Sequence, residues 1–304
     1  MNEMKTAAVV VTYNRMGLLK EVLQSFDNQT SCPNYLIIVD NASNDGTADY
    51  LKKWKDSASH KFDIFIIRNE KNVGGSGGFY IGTKKAMEIG ADWIWVSDDD
   101  AIPENNVFEL AKIHIANLHE KEKVSAICAR ILVNGVTAQT NRNFRKKTLF
   151  RYKLIDVPEE YYLRESFEIN CFSYLGVLMN AEKLKEVGLI NKDYFIWLDD
   201  VEHSWRLNNV GKIICFPDMI VDHRINFQDY HKYSWKTYYG YRNDLLMLKE
   251  HATFYFYFVK IFIIAMKGIL CRDKTLRGIC FASISDALKG KTGMHSVYKP
   301  GWKK

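Results

Sequence analysis

The sequence predicts a doubly wound α/β protein with a mostly parallel sheet, and three observations support this prediction. Short apolar runs rich in Val and Ile recur along the first hundred residues, as expected for parallel strands buried on both faces. Segments with the apolar spacing of helices separate these runs. Three of these runs end at polar clusters, at the edge where ligands bind in such sheets.

Strands and helices alternate in order along the N-terminal part of the chain. The strands are predicted at 7–11, 35–39, 62–67 and 93–96, and the helices at 16–26, 48–54 and 83–89. Beyond residue 100, strand-like runs occupy 174–179 and 213–217, and a helix with Asp199 or Asp200 as its N-cap ends near Gly211. The basic stretch 142–151 is predicted to be a solvated loop. The alternation favours one parallel sheet with helices on both faces.

The chain is long enough to bury a sizeable core, in one large domain or in one domain with an appendage. It has 304 residues, of which 47% are hydrophobic. We place a catalytic-type domain at 1–250 and a basic, aromatic helical region at 251–304. From His251 onward, ten Lys/Arg face two Asp/Glu, so this region carries +8 and the rest of the chain carries −2.

The segment 253–270 is apolar and aromatic, but Lys260 and Lys267 interrupt it. A membrane span needs about 20 residues with few charges. The segment is therefore either an amphipathic helix lying in a membrane interface or a helix packed on the main domain. Basic regions also occur in nucleic-acid binders, but no recognition motif is present, so we expect no nucleic-acid partner.

Cysteine usage predicts a cytosolic protein. None of the six cysteines forms a Cys-x-x-Cys pair or a zinc-ligand spacing. Four of them lie in apolar segments and are expected to be reduced thiols of the core. The first residues lack the apolar stretch of a signal peptide, so we expect no export.

An acidic triplet, Asp98-Asp99-Asp100, directly follows the fourth predicted strand. Alternate residues of an extended segment point the same way, so Asp98 and Asp100 can converge. Two adjacent carboxylates repel each other unless a cation lies between them. Oxygen ligands suit Mg²⁺ or Mn²⁺, ions that usually also hold a substrate phosphate. The alternative is a solvated acidic turn or a helix cap.

A second acidic group, Asp199-Asp200-x-Glu202, could supply a general base, because an attacking hydroxyl group loses its proton as it reacts. The alternative is helix capping with favourable interaction with the helix dipole. His223 follows an apolar run and is either a structural histidine or a nitrogen ligand that completes a manganese site.

Four glycines in five positions, 74–78, separate the third strand from the third helix. This density predicts positive backbone angles and close approach to a ligand, although a flexible linker is the alternative. The cluster is neither a P-loop nor a dinucleotide fingerprint.

Together these residues resemble the inverting glycosyltransferases of family 2, which have the GT-A fold with a Rossmann-like sheet. The matching segments are 10–15 (VVTYNR), 39–47 (VDNASNDGT) and 98–100 (DDD), in the same order and spacing. The segments 72–79 (NVGGSGGF) and 197–202 (WLDDVE) resemble the galactofuranosyltransferase branch. The resemblance covers roughly residues 5–250, and the segment 203–206 departs from it.

The resemblance implies a role for each matched residue. The residues near the nucleotide and its sugar are Thr12, Asn14, Arg15, Asp40, Asn72, Gly74, Gly75, Gly77, Gly78, Asp99 and Trp197. Among them, Asp40 binds uracil and Trp197 is a candidate wall for the sugar, or else a core residue. The metal ligands are Asp98, Asp100 and His223. Asp200 is the catalytic base with Asp199 beside it, and Glu202 and His203 lie toward the acceptor.

The implied reaction moves a sugar from a UDP-sugar to an acceptor hydroxyl, with inversion and with Mn²⁺ or Mg²⁺ as cofactor. The branch implies UDP-galactofuranose as donor and a surface glycan or lipid-linked glycan as acceptor. A rhamnosyl- or other hexosyltransferase of the same fold is the alternative. A non-catalytic glycan- or nucleotide-binding relative is a further alternative, which the intact acidic residues oppose. A nucleotidyltransferase would need a basic, glycine-rich loop after the first strand, and none is present. We expect the protein in the cytoplasm, with peripheral binding to the inner face of the plasma membrane.

Overall fold

The computed structural model describes residues 4–57, 60–225 and 233–302. Its strands are β1 (Thr6–Thr12), β2 (Tyr35–Asp40), β3 (Asp63–Arg68), β4 (Trp93–Asp98), β5 (Ala101–Pro103), β6 (Val124–Val133), β7 (Val136–Thr137), β8 (Arg142–Lys147), β9 (Tyr152–Asp156), β10 (Phe167–Ile169), β11 (Cys171–Phe172), β12 (Leu175–Asn180) and β13 (Lys212–His223). Its α-helices are α1 (Met16–Asp27), α2 (Thr47–Ser57), α3 (Gly74–Glu88), α4 (Val107–Asn117), α5 (Ala181–Val187), α6 (Asp199–Val210), α7 (Trp235–His251), α8 (Phe254–Leu270) and α9 (Lys274–Leu288).

The main sheet runs in the order β10-β13-β6-β12-β4-β1-β2-β3. Its N-terminal part is parallel throughout, with β1 between β2 and β4 and with β3 paired to β2. Strand β12 runs antiparallel to both β4 and β6, and β6 pairs parallel with β13. The predicted α/β class with a mostly parallel sheet is confirmed.

Both faces of the sheet are buried, which explains why the strands are continuous apolar runs. On β1, Ala8 and Val10 point to one face, where they contact α1, while Val9 and Val11 point to the other face. There the glycine-rich helix α3 covers them, with Phe79 in the same cluster. This alternation follows from the two-residue period of a strand.

The basic stretch 142–151 is not the solvated loop that its composition predicts. Residues 142–147 form β8, which pairs with β9 in a hairpin and with β11 in a second, three-stranded sheet. Arg142 is fully buried because its guanidinium donates to the carbonyls of Ala129 and Leu175 at 2.8 and 2.6 Å. Buried backbone acceptors thus hold a cation that the sequence pattern places in solvent.

The C-terminal helices α7, α8 and α9 share a small apolar core. Leu245 and Leu248 of α7 pack with Phe256 of α8 and with Leu276 of α9. The predicted boundary after residue 250 falls at the end of α7, whose apolar face belongs to this same helical core. Among the described residues, no helix combines the length and the apolar character that crossing a membrane requires.

Candidate active site

The ends of β1, β2 and β4 meet at one edge of the sheet. Thr12 at the end of β1 is in register with Asp40 at the end of β2, and Val11 is in register with Asp98 at the end of β4. The three polar clusters that follow these strands therefore share one edge, as expected for strands that run parallel.

Arg15 binds two carboxylates of the acidic triplet. Its guanidinium nitrogen lies 3.2 Å from Oδ1 of Asp99 and 2.7 Å from Oδ2 of Asp100. The Thr12 hydroxyl donates to the other oxygen of Asp99 at 2.6 Å. Burial, followed by the charges of Asp100 and Asp99, raises the pKa of Asp98 well above its usual range. The cluster therefore holds more negative charge than Arg15 alone neutralises, which favours a bound cation.

His223 reaches the triplet through the short strand β5. Strand β5 pairs antiparallel with the end of β13, which sets His223 opposite Ala101. Nε2 of His223 lies 3.4 Å from Oδ1 of Asp100. Within the described part of the chain, this buried oxygen and Nδ1 of His223 have no hydrogen-bond partner. Carboxylate oxygen and imidazole nitrogen are ligand types that suit Mn²⁺ or Mg²⁺, although in the described residues the three side chains whose ligand atoms already converge are Glu202, Glu250 and His251.

Asp40 offers one free carboxylate oxygen at the end of β2. Its Oδ1 accepts from the backbone N–H of Ser43 at 2.8 Å. Its Oδ2 is buried without a hydrogen-bond partner in the described residues, and Nε of Arg68 lies 3.7 Å away. A buried acceptor without a partner is available to a hydrogen-bond donor of a ligand.

Asn14 connects the loop after β1 to the loop after β2. Its backbone is left-handed, with φ of 53°. Its N–H donates to the Ser43 hydroxyl at 3.0 Å, and its side-chain oxygen accepts from the N–H of Asn44 at 2.7 Å. The loops after β1 and β2 therefore form one hydrogen-bonded unit.

The glycine cluster lies inside α3, so helix α3 begins at Gly74 and not near residue 83. The Asn72 side chain accepts from the Gly74 N–H at 2.8 Å. Only Gly74 of the four has a positive φ, 80°, and an added Cβ there would lie 2.0 Å from the carbonyl oxygen of Phe195. A Cβ on Gly78 would lie 2.5 Å from Val11 of β1. The expectation of several positive angles was wrong, because most of these glycines serve close helix packing.

Gly75 and Gly77 differ in what surrounds them. A Cβ on Gly77 would meet the side chain of Val73 at 2.7 Å. A Cβ on Gly75 would meet no atom within 4 Å, so this position faces open space. Of the four glycines, Gly75 is therefore the one whose missing side chain leaves room for a ligand.

The loop before α6 is strained and is held by α7. Phe195, Trp197 and Leu198 all have φ near 68° or 67°, a conformation that costs about 1–3 kcal/mol in residues with a side chain. The Asn243 side chain donates to the carbonyls of Tyr194, Ile196 and Trp197 at 3.1, 2.9 and 2.7 Å. Backbone strain with such support is typical of functional loops.

Trp197 lies on this loop with its side chain partly in solvent. The residue is 45% exposed, and its ring packs on Gly240 of α7, where an added Cβ would lie 3.0 Å from the ring. One part of the indole is therefore exposed to solvent, while the packed part fixes its position.

Asp199 and Asp200 form the first turn of α6. The N-cap is Leu198 and neither aspartate, so the predicted cap was wrong and both carboxylates are free of that role. Burial raises the pKa of Asp199 to about 6. Burial, with the charge of Asp199 next, raises the pKa of Asp200 to about 7. The charge of Asp199 also raises the pKa of Asp98, so the two acidic groups belong to one electrostatic cluster.

Glu202 and His203 point into the protein and not toward an acceptor. Glu202 accepts from Arg206 at 2.7 Å and pairs with His251 of α7 at 2.8 Å. Burial alone would raise the pKa of Glu202, but these two partners outweigh it and lower it to about 2. His203 is fully buried, with Nδ1 2.8 Å from the Tyr174 hydroxyl and Nε2 3.3 Å from the Gly188 carbonyl. This geometry gives no support to acceptor contact by either residue.

Sequence reasoning missed the role of Asn243 and Arg242. Arg242 donates to the carbonyls of Tyr194 and Gly293 at 2.9 and 2.7 Å, and so holds the same loop as Asn243. The available signal is a pair of adjacent polar residues in an otherwise aromatic helical segment, 238–243. Such a signal indicates buried hydrogen bonding but does not identify the partner segment.

Sheet order and the acidic edge define a GT-A fold. GalNAc-T7, solved with UDP, GalNAc and Mn²⁺, has this fold: it superimposes with a TM-score of 0.65 over 95% of this chain and 56% of that chain, at 15% identity. The sequence profile of glycosyl transferase family 2 matches residues 7–187. The chain therefore belongs to glycosyl transferase family 2.

Two proteins with similar sequences are galactofuranosyltransferases. GlfT1 of Mycobacterium tuberculosis is 30% identical over 206 residues, which are 67% of this chain and 64% of that protein. GlfT1 of Mycolicibacterium smegmatis is 31% identical over 124 residues, which are 41% of this chain and 39% of that protein. The matched parts thus span less than two thirds of the length of these relatives.

Proposed function

We propose that the protein transfers galactofuranose from UDP-galactofuranose to a hydroxyl of a surface glycan or lipid-linked glycan, with inversion at the anomeric carbon. The observation that carries the proposal is the shared sheet edge. There a free carboxylate oxygen of Asp40 and the Asp98–Asp100 triplet follow strands that flank β1, and the charge of Asp199, the neighbour of Asp200 on α6, acts on Asp98.

Each group has a task in this reaction that its environment supports. Oδ2 of Asp40 accepts from the uracil imide, a contact that cytosine cannot make and that thymine can, so a dTDP-sugar is the competitor to test. Asp98, Asp100 and His223 would hold a divalent cation, which when bound neutralises the charge on the departing diphosphate. Asp200 accepts the proton of the attacking hydroxyl, a task suited to a pKa of about 7.

The sugar assignment rests on the two galactofuranosyltransferase relatives and on the resemblance of segments 72–79 and 197–202. The decisive measurement is a competition between UDP-galactofuranose and UDP-galactopyranose, with a short galactoside as acceptor and Mn²⁺ present. Transfer of the furanose is expected. Preference for the pyranose or for a dTDP-sugar would reject the sugar while leaving family membership unaffected.

We further propose a cytoplasmic location at the inner face of the plasma membrane. All six cysteines are free thiols, which suits a reducing compartment. A UDP-sugar donor and a lipid-linked acceptor meet at such a surface. Fractionation of the producing cells, with and without a high-salt wash of the membranes, tests this location.

A further inference from the structure

Helix α8 is covered on one side only. Phe256, Tyr257 and Ile264 are buried against α7 and α9. The opposite side presents aromatic and aliphatic side chains to solvent, with Phe254 68% and Phe262 66% exposed. The other exposed members of this apolar face are Tyr255, Phe258, Ile263, Ile269 and Leu270. Monomeric proteins rarely expose a continuous apolar surface of this kind without a partner.

The tip of the β8–β9 hairpin continues this apolar face. Leu149 and Phe150 are 74% and 59% exposed. The turn is firmly closed, because the Thr148 hydroxyl donates to the Arg151 carbonyl at 2.7 Å and the Thr148 N–H donates to the same oxygen at 2.9 Å. Phe150 and Arg151 line an apolar groove of 850 Å³ together with the exposed residues of α8. We call the hairpin tip (148–151) and this face of α8 the docking surface.

Cations surround the apolar tip. Lys146, Lys147, Arg151 and Lys153 are exposed on the hairpin, and no acidic residue occurs between 142 and 155. Beyond the end of α8, the exposed Arg272, Lys274 and Arg277 add further positive charge. An apolar surface edged by Lys and Arg is the pattern of proteins that lie on anionic membranes.

We propose that the docking surface binds an anionic lipid bilayer, with Leu149, Phe150 and the aromatic face of α8 in the interface. The cations then lie at the depth of the lipid phosphates. A second copy of the chain is a poorer occupant, because symmetric pairing of this surface would bring like charges together. The proposal extends the proposed membrane location and does not depend on the proposed chemistry.

The docking surface is joined to the helix that carries the base. Tyr152 of the hairpin packs between Trp205 of α6 and Phe256 of α8, with ring centroids 4.8 Å apart in each pair. The Arg145 guanidinium lies 4.0 Å from the centre of the Trp205 ring. Trp205 is five residues after Asp200 on α6, a rise of about 8 Å. Binding of the docking surface to a membrane would thus bring a lipid-linked acceptor to the side of the protein on which Trp205 of α6 lies.

The test uses the full chain and vesicles of phosphatidylcholine with or without 30–40% (roughly) phosphatidylglycerol. Leu149→Ser with Phe150→Ser removes the apolar tip, Phe258→Ser with Phe262→Ser removes the α8 face, and Lys146→Glu with Lys147→Glu reverses the charge. The matched controls are Leu163→Ser, at an apolar residue 84% exposed elsewhere, and Lys52→Glu with Lys55→Glu on α2. UDP binding and thermal melting report on folding.

We expect wild-type protein and both controls to sediment with anionic vesicles. The affinity of each docking-surface variant for anionic vesicles should be lower than that of wild type by about 10-fold or more, with UDP binding unchanged. Hydrogen exchange on the wild-type chain gives a readout without mutation: the amides of Leu149 and Phe150 should become protected on vesicle addition.

Three outcomes would overturn the proposal. Variants that bind vesicles like wild type, with no protection of the hairpin tip, would place membrane binding elsewhere. Failure of the wild-type protein to sediment with anionic vesicles would show that the membrane is not the partner of this surface. A dimer that the same variants dissociate, without vesicle binding, would assign the surface to a second copy. Sugar transfer to a soluble acceptor is measured separately, so its failure would count against the chemistry and not against this surface.

Discussion

At the scale of single residues, ion pairing distinguishes two buried carboxylates of α6. The pKa of Asp200 is raised to about 7, whereas the pKa of the nearby Glu202 is lowered to about 2. The two lie two residues apart on α6, but Glu202 faces Arg206 and His251 while Asp200 lacks a cationic partner of that kind in the described residues. A carboxylate that titrates near neutral pH accepts a proton far better than one held ionised by ion pairs.

The transfer rate should therefore rise with pH and level off above about 7, because only ionised Asp200 accepts a proton. The pH profile is measured from steady-state rates at saturating donor and metal, with Mn²⁺ binding followed over the same pH range as a control.

The Asp200→Asn variant should still bind UDP but should lose on the order of 100-fold or more in the rate of transfer. An active Asp200→Asn beside an inactive Asp199→Asn would move the base by one residue.

We expect a substitution at Asp100 to weaken metal binding. Its free Oδ1 faces His223, and its Oδ2 is bound by Arg15. Asp100→Asn removes the charge that both groups share, so Mn²⁺ affinity measured by electron paramagnetic resonance should fall by 10-fold or more (roughly). Transfer should fall with it. Full wild-type activity in excess chelator would contradict a metal-dependent reaction.

At the scale of elements, α3 and the loop before α6 are fitted to each other at Gly74. The N–H of Ser76 donates to the Phe195 carbonyl at 3.2 Å, and the Asn41 side chain donates to the Gly74 carbonyl at 2.9 Å. The helix thus links the end of β2 to the loop that carries Trp197. Any side chain at Gly74 would push this loop away.

Gly74→Ala should lower the free energy of unfolding by about 2 kcal/mol or more, since its φ is positive and its Cβ would overlap the Phe195 carbonyl. Gly75→Ala is the matched control, because no atom lies within 4 Å of its added Cβ. It should leave stability unchanged or raise it by up to about 1 kcal/mol. Denaturant unfolding compares the two. A rise in donor KM for Gly75→Ala alone would support a donor contact there, and equal stability of both variants would refute the packing argument.

Glu202 links α6 to the end of α7, and this link should make stability depend on pH. Its folded pKa lies below the unfolded value of 4.5, so its contribution is present above pH 4.5 and is lost as the pH falls toward 2. Glu202→Gln should cost on the order of 3 kcal/mol at pH 7 and flatten the acid dependence. Urea unfolding at pH 7, at about pH 4 and at about pH 2.5 measures both. An unchanged stability with a raised acceptor KM would instead favour the acceptor role implied by the family resemblance.

At the scale of the whole molecule, charge is distributed unevenly along the chain. Residues from 251 onward carry +8 and the rest carries −2. Cations near a charged surface act through the solvent and are screened by salt, whereas a buried hydrogen bond to a ligand is not. Membrane binding and nucleotide binding should therefore respond differently to ionic strength.

Binding to anionic vesicles should fall steeply between 50 and 500 mM NaCl (roughly), because the Debye length shrinks severalfold over that range. UDP binding in the presence of Mn²⁺ should change little in comparison. Flotation and calorimetry on the same samples measure the two. Vesicle binding that is insensitive to salt would show that apolar insertion alone drives the association.

Much of this fold could be predicted from the sequence, and the exceptions have physical causes. Strands β1 to β4 were predictable because burial on both faces leaves continuous apolar runs. The basic strand β8 was not, because Arg142 is satisfied by carbonyls from residues 13 and 33 positions away. Helix α3 was predicted too short because glycine disfavours helices, although here contacts with β1 require it.

The candidate site divides in the same way. The acidic triplet, Asp40 and Asp200 follow strands or open a helix, so their position could be predicted from order along the chain. The inward direction of Glu202 and His203 could not, since it depends on Arg206, His251 and Tyr174. The hydrogen bonds from Asn243 to the loop at 194–197 join segments almost fifty residues apart, so no local sequence pattern predicts them.

Helix α6 has a consequence for how the enzyme would find its acceptor. Its first turn carries Asp200, and its later turn carries Trp205, which packs on Tyr152 of the hairpin, and Tyr152 in turn packs on Phe256 of α8. Once the docking surface lies on a bilayer, the search for a lipid-linked acceptor becomes lateral diffusion in a plane, and the effective concentration of acceptor is set by its surface density. The apparent KM for such an acceptor should then follow its mole fraction in the membrane and not its bulk concentration.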